Sequence, residues 1–186
     1  GVDSELFQNG ALGFKAGAKL ANPATEVQVG IVGSFSDPAT AKESAKMMYD
    51  NGADIIMNLN GGSSLGVFNQ ARESGLYAIG VTTNQNQIAP DVILGSCIEN
   101  LDVAVIDICR QLVENTWKSG VMRVSISTGY FDMVYDGSNV EIPQQAKDAV
   151  AAVRDALKDG TLTLPGSEAE LDAWLADNAN FNYVGK

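Results

Sequence analysis

The chain has 186 residues, enough for one domain with a substantial core or for one lobe of a larger protein. Its 12 basic and 23 acidic residues give a formal net charge of −11, which argues against a nucleic-acid partner because little on the chain neutralises phosphates. The sequence contains no histidine, the commonest general base and metal ligand, so the composition disfavours both an enzyme and a metal site.

The first part of the chain alternates helical and strand-like segments. Residues 5–22 carry apolar residues at helical spacing, so we expect the chain to open on a helix. Short apolar runs that begin near residues 27, 54, 77 and 92 predict four strands, each followed by a helix. Asp37 and Pro38 mark the N-cap and the first residue of the first of these helices. This order predicts an α/β fold with a parallel sheet, right-handed crossovers and helices on both faces.

The regular alternation of strand and helix ends after residue 118. Residues 121–137 predict one or two strands around Gly129, and residues 142–160 predict a long amphipathic helix. A last helix is predicted to begin at the capping box of residues 167–170 and to end at about Asn178. No apolar run approaches the roughly 18 residues that a membrane-spanning helix requires.

Helical stripes and residue types also predict a set of buried side chains. Four large apolar residues lie on such stripes and are assigned to the core: Met47, Met48, Phe68 and Trp117. Cys97 and Cys109 have neither the spacing nor the histidine partners of a zinc site, so they are interpreted as buried free thiols.

Four loops follow the predicted strands, and the carboxyl ends of parallel strands are where open α/β sheets bind ligands. The loops are residues 33–37, 60–63, 82–85 and 99–100. The ring of Phe35 could stack on a planar ligand or pack beneath its loop. Gly61 and Gly62 could let the backbone approach a ligand or simply form a tight turn. Neither a dinucleotide fingerprint nor a phosphate-binding loop is present.

Four longer stretches occur in a specific order between about residues 10 and 110. They are GFKAGAKLANP, VGIVGSFSDPATAKESAKMMYDNGADII, NGGSSLGVFNQARESGLYAIGV and LGSCIENLDVAV. Together they closely resemble the basic membrane protein family of ABC-transporter substrate-binding lipoproteins, which includes the bacterial purine nucleoside receptors. The later stretch IPQQAKDAVAAVRDALKDGTLTLP is similar to a typical ending of that family.

The resemblance implies a type I periplasmic-binding-protein fold, in which two Rossmann-like α/β lobes close on a ligand in a hinge cleft. Residues 1–120 would form the second lobe, with most of the first lobe preceding Gly1. Residues 121–186 would be the returning strands and C-terminal helices that complete the hinge and the first lobe. A strand at residues 124–126 would then lack neighbours, so we expect it to pair with another copy or with the first lobe as a separate chain.

The same resemblance implies the site residues. Phe35 falls where the family's loop aromatic stacks on the nucleobase, and Gly61 and Gly62 fall in the ligand-lining turn. Thr82 stands where nucleoside-binding members have an aspartate that holds the ribose hydroxyls, and Glu99 stands where they have a lysine. Thr offers one hydroxyl where Asp accepts two hydrogen bonds, so a nucleoside, a nucleobase and another polar or cationic solute all stay open. The implied ligand-binding set is Phe35, Asn60, Gly61, Gly62, Thr82, Asn84 and Glu99.

The function implied is solute capture for an ABC importer, with a membrane permease as partner and with no catalysis, cofactor or metal. The family further implies an extracytoplasmic location, in the periplasm or at the cell surface, with a lipid anchor on the full-length protein. The alternative is a ligand-sensing module of a regulatory protein, because repressor effector domains and histidine-kinase sensors share this fold.

Overall fold

A computed structural model describes residues 1–121 and 124–181 of the chain. Six α-helices and four strands lie within these residues. In chain order they are α1 (Glu5–Ala21), α2 (Pro38–Asp50), β1 (Ile55–Met57), α3 (Ser64–Ser74), β2 (Tyr77–Thr82), β3 (Ile93–Glu99), α4 (Leu101–Val113), β4 (Phe131–Val134), α5 (Gln144–Asp159) and α6 (Leu171–Asp177). The prediction that the chain opens on a helix is confirmed.

The sheet has the order β1-β2-β3-β4. Strands β1, β2 and β3 are parallel, and β4 pairs antiparallel with β3. The predicted α/β fold is therefore confirmed, but the sheet is mostly parallel rather than wholly so. The reversed strand arises because the chain after α4 returns through a turn at Ile126–Thr128 instead of through a crossover helix.

The strand predicted near residue 27 does not form. Residues 27–32 are extended but make no hydrogen bond within the part of the chain that the structure describes. Val29 and Ile31 are 66% and 58% exposed, although the apolar run that contains them is typical of a buried strand. A strand exists only beside a partner about 4.8 Å away, and on this side of β1 no paired neighbour is present within the described residues.

The predicted strand at residues 124–126 is also wrong. Ile126–Thr128 is a turn of 3₁₀ helix that Ser125 caps, and Met122 and Arg123 lie outside the described residues. The strand of this region is β4, whose Met133 lies opposite Cys97 of β3. Because no strand forms at residues 124–126, the strand edge expected there is absent, and the strand that does form, β4, pairs within this chain's own sheet.

The main core lies between the sheet and helices α2 and α3. Its buried residues are Ala41, Ala45, Tyr49, Val67, Phe68, Ala71, Ala78, Ala89, Val92 and Ile93. The two helices approach closely at Gly66, where any Cβ would collide with the Pro38 carbonyl oxygen. The Tyr49 hydroxyl donates a hydrogen bond of 2.8 Å to the Tyr77 carbonyl, and burial raises the pKa of Tyr49.

Other apolar residues are not covered. The core assignment is confirmed for Phe68 but wrong for Met47 and Trp117, which are exposed. Helix α4 has no buried residue, so Cys109 is exposed, and Cys97 of β3 is only partly buried. A helical stripe shows which side chains share a face, but burial needs a second element against that face. Among the described helices none has the length and apolarity to cross a bilayer.

Candidate functional site

The carboxyl ends of β1, β2 and β3 lie at one edge of the sheet, because the three strands are parallel neighbours. The register places Met57 beside Ile79 and Thr82 beside Ile98. The turn containing Asn60, the end of β2 at Thr82 and the end of β3 at Glu99 therefore meet at this edge. We call it the carboxyl edge.

Ser63 joins the loop of residues 33–37 to the turn that follows β1. The Ser63 side chain is fully buried, and its oxygen accepts a hydrogen bond of 2.9 Å from the Asp37 backbone N–H. The same hydroxyl lies 3.2 Å from the Ser34 carbonyl, to which it donates. The Ser63 backbone N–H donates to the Phe35 carbonyl at 3.1 Å. These bonds bring the predicted aromatic residue and the predicted glycine turn into contact.

Two different constraints favour glycine at Gly61 and at Gly62. Gly61 has φ +55°, a left-handed conformation that favours glycine. A Cβ on Gly62 would lie 3.1 Å from the Phe35 carbonyl oxygen, closer than an ordinary contact. The turn thus depends on glycine for its own geometry, which is one of the two explanations that the sequence left open.

The ring of Phe35 is 41% exposed. One side of it packs on Phe7 of α1, with ring centroids 5.4 Å apart and planes tilted by 47°. Phe35 is therefore not a core residue beneath its loop. Gly1 lies against another edge of the ring, and the rest of the ring surface is open at the carboxyl edge, where a planar molecule could stack on it.

Asn60 belongs to a buried polar cluster with Asn58 and Ser64. The Ser64 hydroxyl lies within hydrogen-bond distance of the Oδ1 atoms of both asparagines, and the distance to Asn60 Oδ1 is 3.1 Å. Asn58 Nδ2 donates to the Ile79 carbonyl at 2.8 Å. The cluster fixes the turn after β1 onto β2 and onto the start of α3. Sequence reasoning missed Asn58 and Ser64, although an asparagine directly after an apolar strand is a visible signal.

Thr82 has an unusual backbone. Its φ is +68°, and the Thr83 N–H donates to the Val81 carbonyl at 2.8 Å, so Thr82 is the central residue of a γ-turn. A β-branched residue with positive φ is an outlier, and such strain costs about 1–3 kcal/mol and concentrates at functional positions. The Thr82 side chain is exposed at the carboxyl edge.

Asn84 and Asn86 connect this loop to the end of β4. Asn84 Nδ2 donates to the Asp136 carbonyl at 3.1 Å, and its Oδ1 accepts from the Asn86 N–H. Asn86 is fully buried and donates to the Val134 and Asp136 carbonyls at 3.2 and 2.8 Å. Its Oδ1 accepts a bond of 2.7 Å from the Ser96 hydroxyl. Asn86, which sequence reasoning missed, is the better-anchored of the two asparagines.

Glu99 is exposed at the end of β3, opposite Phe131 of β4, and forms no ion pair within the described residues. Burial raises the pKa of the nearby Cys97 thiol, and the carboxylates of Glu99 and Asp132 add to the effect. No group of three or more Cys, Asp or Glu side chains in the described part of the chain is arranged to hold a metal ion. The carboxyl edge instead offers one aromatic ring, hydroxyl and amide groups, and one carboxylate.

Comparison with known proteins gives a family. The model of the Bmp family, described as PnrA-like ABC transporter substrate-binding proteins, matches residues 1–159. The chain belongs to this family. The resemblance noted in the sequence is thereby confirmed.

Among the relatives of this Bmp-family chain, some are named as ABC transporter proteins and one is named as a transcriptional activator. It is 28% identical over 183 residues to an ABC transporter nucleoside-binding protein, BmpA, of Lactococcus lactis subsp. cremoris, covering 89% of this chain and 51% of that protein. It is 32% identical over 132 residues to the transcriptional activator protein med of Bacillus subtilis, covering 71% of this chain and 42% of that one.

A solved structure supports the fold. An ABC transporter system solute-binding protein from Conexibacter woesei superposes with a TM-score of 0.68 at 18% identity, covering 88% of this chain and 54% of that one. At this identity the likeness concerns the fold alone, which is that of the type I periplasmic binding proteins. The Bmp-family chain thus spans about half the length of the relatives it matches.

Proposed function

We propose that this chain is one lobe of the solute-binding component of an ABC importer and that it holds a small polar, nucleoside-like ligand at the carboxyl edge. The observation that carries the proposal is the half-open ring of Phe35 beside the turn at Gly61 and Gly62. Stacking on an aromatic ring is a common way to bind a nucleobase, worth about 1–3 kcal/mol per base. The nucleoside-binding name of the Lactococcus relative supports the same ligand class.

Residues 1–120 form the second lobe in this proposal, and residues 121–186 complete the hinge and the first lobe. A ligand would be enclosed only when a first lobe closes over the carboxyl edge, since small-molecule sites bury most of the ligand surface. The importer's permease is the membrane partner. The protein acts outside the cytoplasm, held by a lipid anchor in its full-length form.

The polar side chains divide into two roles. Thr82 and Glu99 are exposed at the carboxyl edge, where a hydroxyl and a carboxylate are available to a ligand. Asn60 and Asn84 already use their side chains within the protein, so they shape the site. A carboxylate with no ion-pair partner in the described residues favours ligand groups that donate hydrogen bonds or carry positive charge.

The proposal is tested on the full-length polypeptide that contains this chain, by calorimetric titration with inosine, hypoxanthine and spermidine. We expect inosine or hypoxanthine to bind, and Phe35→Ala to weaken that binding by about 10- to 100-fold because base stacking is lost. Trp117→Ala, which removes another exposed aromatic residue after α4, is the matched control and should bind normally. Unchanged affinity in Phe35→Ala would end the stacking role, and binding of spermidine alone would exclude a nucleoside.

A regulatory function is the second candidate, because the Bacillus subtilis relative is named a transcriptional activator. A sensor would use the same carboxyl edge but would pass the ligand signal to another protein segment. Co-purification of the full-length protein with a permease would favour import. Ligand-dependent binding to DNA by the full-length protein would favour regulation instead.

A further inference from the structure

The chain turns sharply at the end of β2, over residues 82–86, which we call the β2 loop. In the described sheet the pairing of β1 with β2 ends at Met57, so Val81 has no residue of β1 opposite it. The Val81 N–H donates instead to the side-chain oxygen of Gln85 at 2.9 Å. The side chain of Gln85 thus reaches back across the β2 loop and closes it onto the strand from which it came.

Ser96 of β3 holds the same loop from the neighbouring strand. Its side chain is fully buried, and its oxygen accepts a hydrogen bond of 3.0 Å from the Gln85 N–H. The same hydroxyl donates to Asn86 Oδ1 at 2.7 Å. Because a hydroxyl can accept and donate at once, Ser96 binds two successive residues of the β2 loop.

Gly80 makes room for this arrangement inside β2. A Cβ on Gly80 would lie 2.3 Å from the Ser96 oxygen and 3.0 Å from Gln85 Cβ. Gly80 does not have a positive φ, so it is the space and not the backbone conformation that requires glycine here. Glycine weakens a strand interior and often marks a place where another group approaches closely. At Gly80 the approaching groups are Gln85 and Ser96.

The residue that these bonds enclose is Thr82. Its φ of +68° is a conformation that persists only where the surrounding structure holds it, and the bond from Val81 to Gln85 spans it. The Thr82 side chain is exposed at the carboxyl edge, whereas the Ser96 hydroxyl is buried and already bonded. Gln85 and Ser96 can therefore act on a ligand through Thr82.

The strand order places Thr82 one strand away from the turn on which Phe35 packs. A Cβ on Gly61, in the turn after β1, would lie 3.5 Å from the Phe35 side chain. Neighbouring strands are about 4.8 Å apart. A ligand whose ring stacks on Phe35 would consequently reach the end of β2 with the part that lies beyond the ring.

We propose that Gln85 and Ser96 are positioning residues that hold the Thr82 hydroxyl toward the part of the ligand beyond the stacked ring. The inference rests on the proposed function, because it requires a ligand at the carboxyl edge. The two residues then set the selectivity between a base alone and the same base with a polar substituent. Inosine and hypoxanthine are suitable probes, because they share the base and only inosine carries a ribose.

The experiment is a calorimetric titration of the full-length polypeptide that contains this chain with each of the two probes. Gln85→Met keeps the length of the side chain but removes the oxygen that accepts from Val81. We expect it to weaken inosine binding by about 3- to 10-fold, as for the loss of one hydrogen bond, and to leave hypoxanthine binding unchanged. Gln85→Glu keeps an acceptor oxygen and should recover most of the inosine affinity.

A double substitution tests whether Gln85 acts through Thr82. Thr82→Ala should show the same selective loss of inosine binding. Adding Gln85→Met to Thr82→Ala should then cause no further loss, because residues that act through one group are not additive.

Ser96→Ala tests the second positioning residue. It should give the same selective loss, together with faster hydrogen exchange at the Gln85 amide, which loses its acceptor. Ser138→Ala is the matched control, because the Ser138 hydroxyl donates to the Ile93 carbonyl at 2.6 Å, at the other end of β3. It should bind both probes normally. Gln85 is only partly buried, so Gln85→Met decides the question even if Ser96→Ala does not fold.

The outcomes separate this inference from the proposed function. An equal loss of inosine and hypoxanthine binding in Gln85→Met would overturn the inference alone, because it would show a general disturbance of the site. Unchanged inosine binding in Gln85→Met, or additive losses in the double variant, would do the same. If the unsubstituted protein binds neither probe, the proposed function and the inference both fail.

Discussion

Two strand-and-helix units of this chain have similar sequence signals and different structures. The unit of β2 and β3 with α3 is packed, with Phe68 only 1% exposed and Ile93 fully buried. The unit of α1 and segment 27–32 has the same apolar character, but Val29 and Ile31 are mostly exposed and a cavity lies beside them. The difference shows that an apolar run becomes a strand only where a neighbouring strand is present to complete its hydrogen bonds.

The hydrogen bonds of polar side chains show the same difference between the packed unit and segment 27–32. In the packed unit they connect elements, as Asn58 and Ser64 do after β1 and as Asn86 and Ser96 do beside β3. No buried side-chain nitrogen or oxygen atom of the described residues lacks a hydrogen-bond partner. Segment 27–32 has no such connection. The packed unit is thus held by both burial and buried hydrogen bonds, which are costly to remove.

The largest expected effect tests the comparison directly. Phe68→Ala should lower the free energy of unfolding by about 3–5 kcal/mol, because it removes a buried ring and leaves a cavity. Val29→Ala should change it by less than about 0.5 kcal/mol, as is usual for an exposed position. Urea denaturation measures both variants. A comparable loss in Val29→Ala would show that segment 27–32 is packed in solution.

The next-largest effect is expected at Asn86, whose buried side-chain amide donates hydrogen bonds to the end of β4. Asn86→Ala leaves the Ser96 hydroxyl without its acceptor and removes one donor from each of the Val134 and Asp136 carbonyls. The Asp136 carbonyl keeps the hydrogen bond from Asn84. We expect a loss of about 1–3 kcal/mol in unfolding free energy, together with faster amide exchange in β4. The neighbouring exposed residue gives the control, Gln87→Ala, which should be near neutral. Unchanged exchange in β4 would mean that its pairing with β3 alone secures it.

A smaller effect, of opposite sign, is expected at the carboxyl edge. Thr82→Asn should raise the free energy of unfolding by about 1 kcal/mol, because asparagine tolerates positive φ better than a β-branched residue does. Thr83→Asn, at a neighbouring exposed position without positive φ, should not stabilise the protein. If thermal denaturation shows that Thr82→Asn is destabilised, the γ-turn is not strained. A stabilised variant with weakened ligand binding would indicate that the strain serves the site.

The smallest expected effect is pH-dependent. Hydrogen bonds from the Thr40 backbone and side chain lower the pKa of the Asp37 carboxyl at the N-terminus of α2. Because the folded state favours the ionised form, the stabilisation is present above the unfolded pKa of about 3.9 and is lost as the pH falls through the lower folded value. Asp37→Asn keeps a capping oxygen without the charge. The stability difference between the two proteins should therefore shrink between about pH 5 and pH 2. A difference that stays constant would remove the charge from the explanation.

Much of the local structure could be predicted from the sequence. Asp37 caps α2 as expected, with Pro38 at the first helical position, and Gly75 ends α3 with φ +65°. The capping box predicted at residues 167–170 does not form, although a helical turn does begin after Ser167. Ser167 makes no side-chain capping bond, and the Glu170 carboxylate accepts instead from the Gly166 N–H, so the regular helix begins at Leu171.

The sequence predicts where the candidate site lies better than it predicts which side chains contact one another there. The order of parallel strands places Thr82 and Glu99 at one edge, which strand-like runs alone can indicate. That Asn60 and Asn84 use their side chains internally, and that Ser63 ties the Phe35 loop to the glycine turn, depends on residues far apart in the chain. No local pattern contains those pairs.

Where most helices begin and end, how strand and helix alternate, and which family the chain belongs to can all be predicted from the residues alone. These follow from capping residues, hydrophobic period and motif order, all of which are local. Three features depend on the folded chain as a whole: residues 27–32 stay unpaired, β4 returns antiparallel to β3, and the apolar face of α4 is exposed. Pairing and burial require a second element, and which element is present is a property of the whole fold.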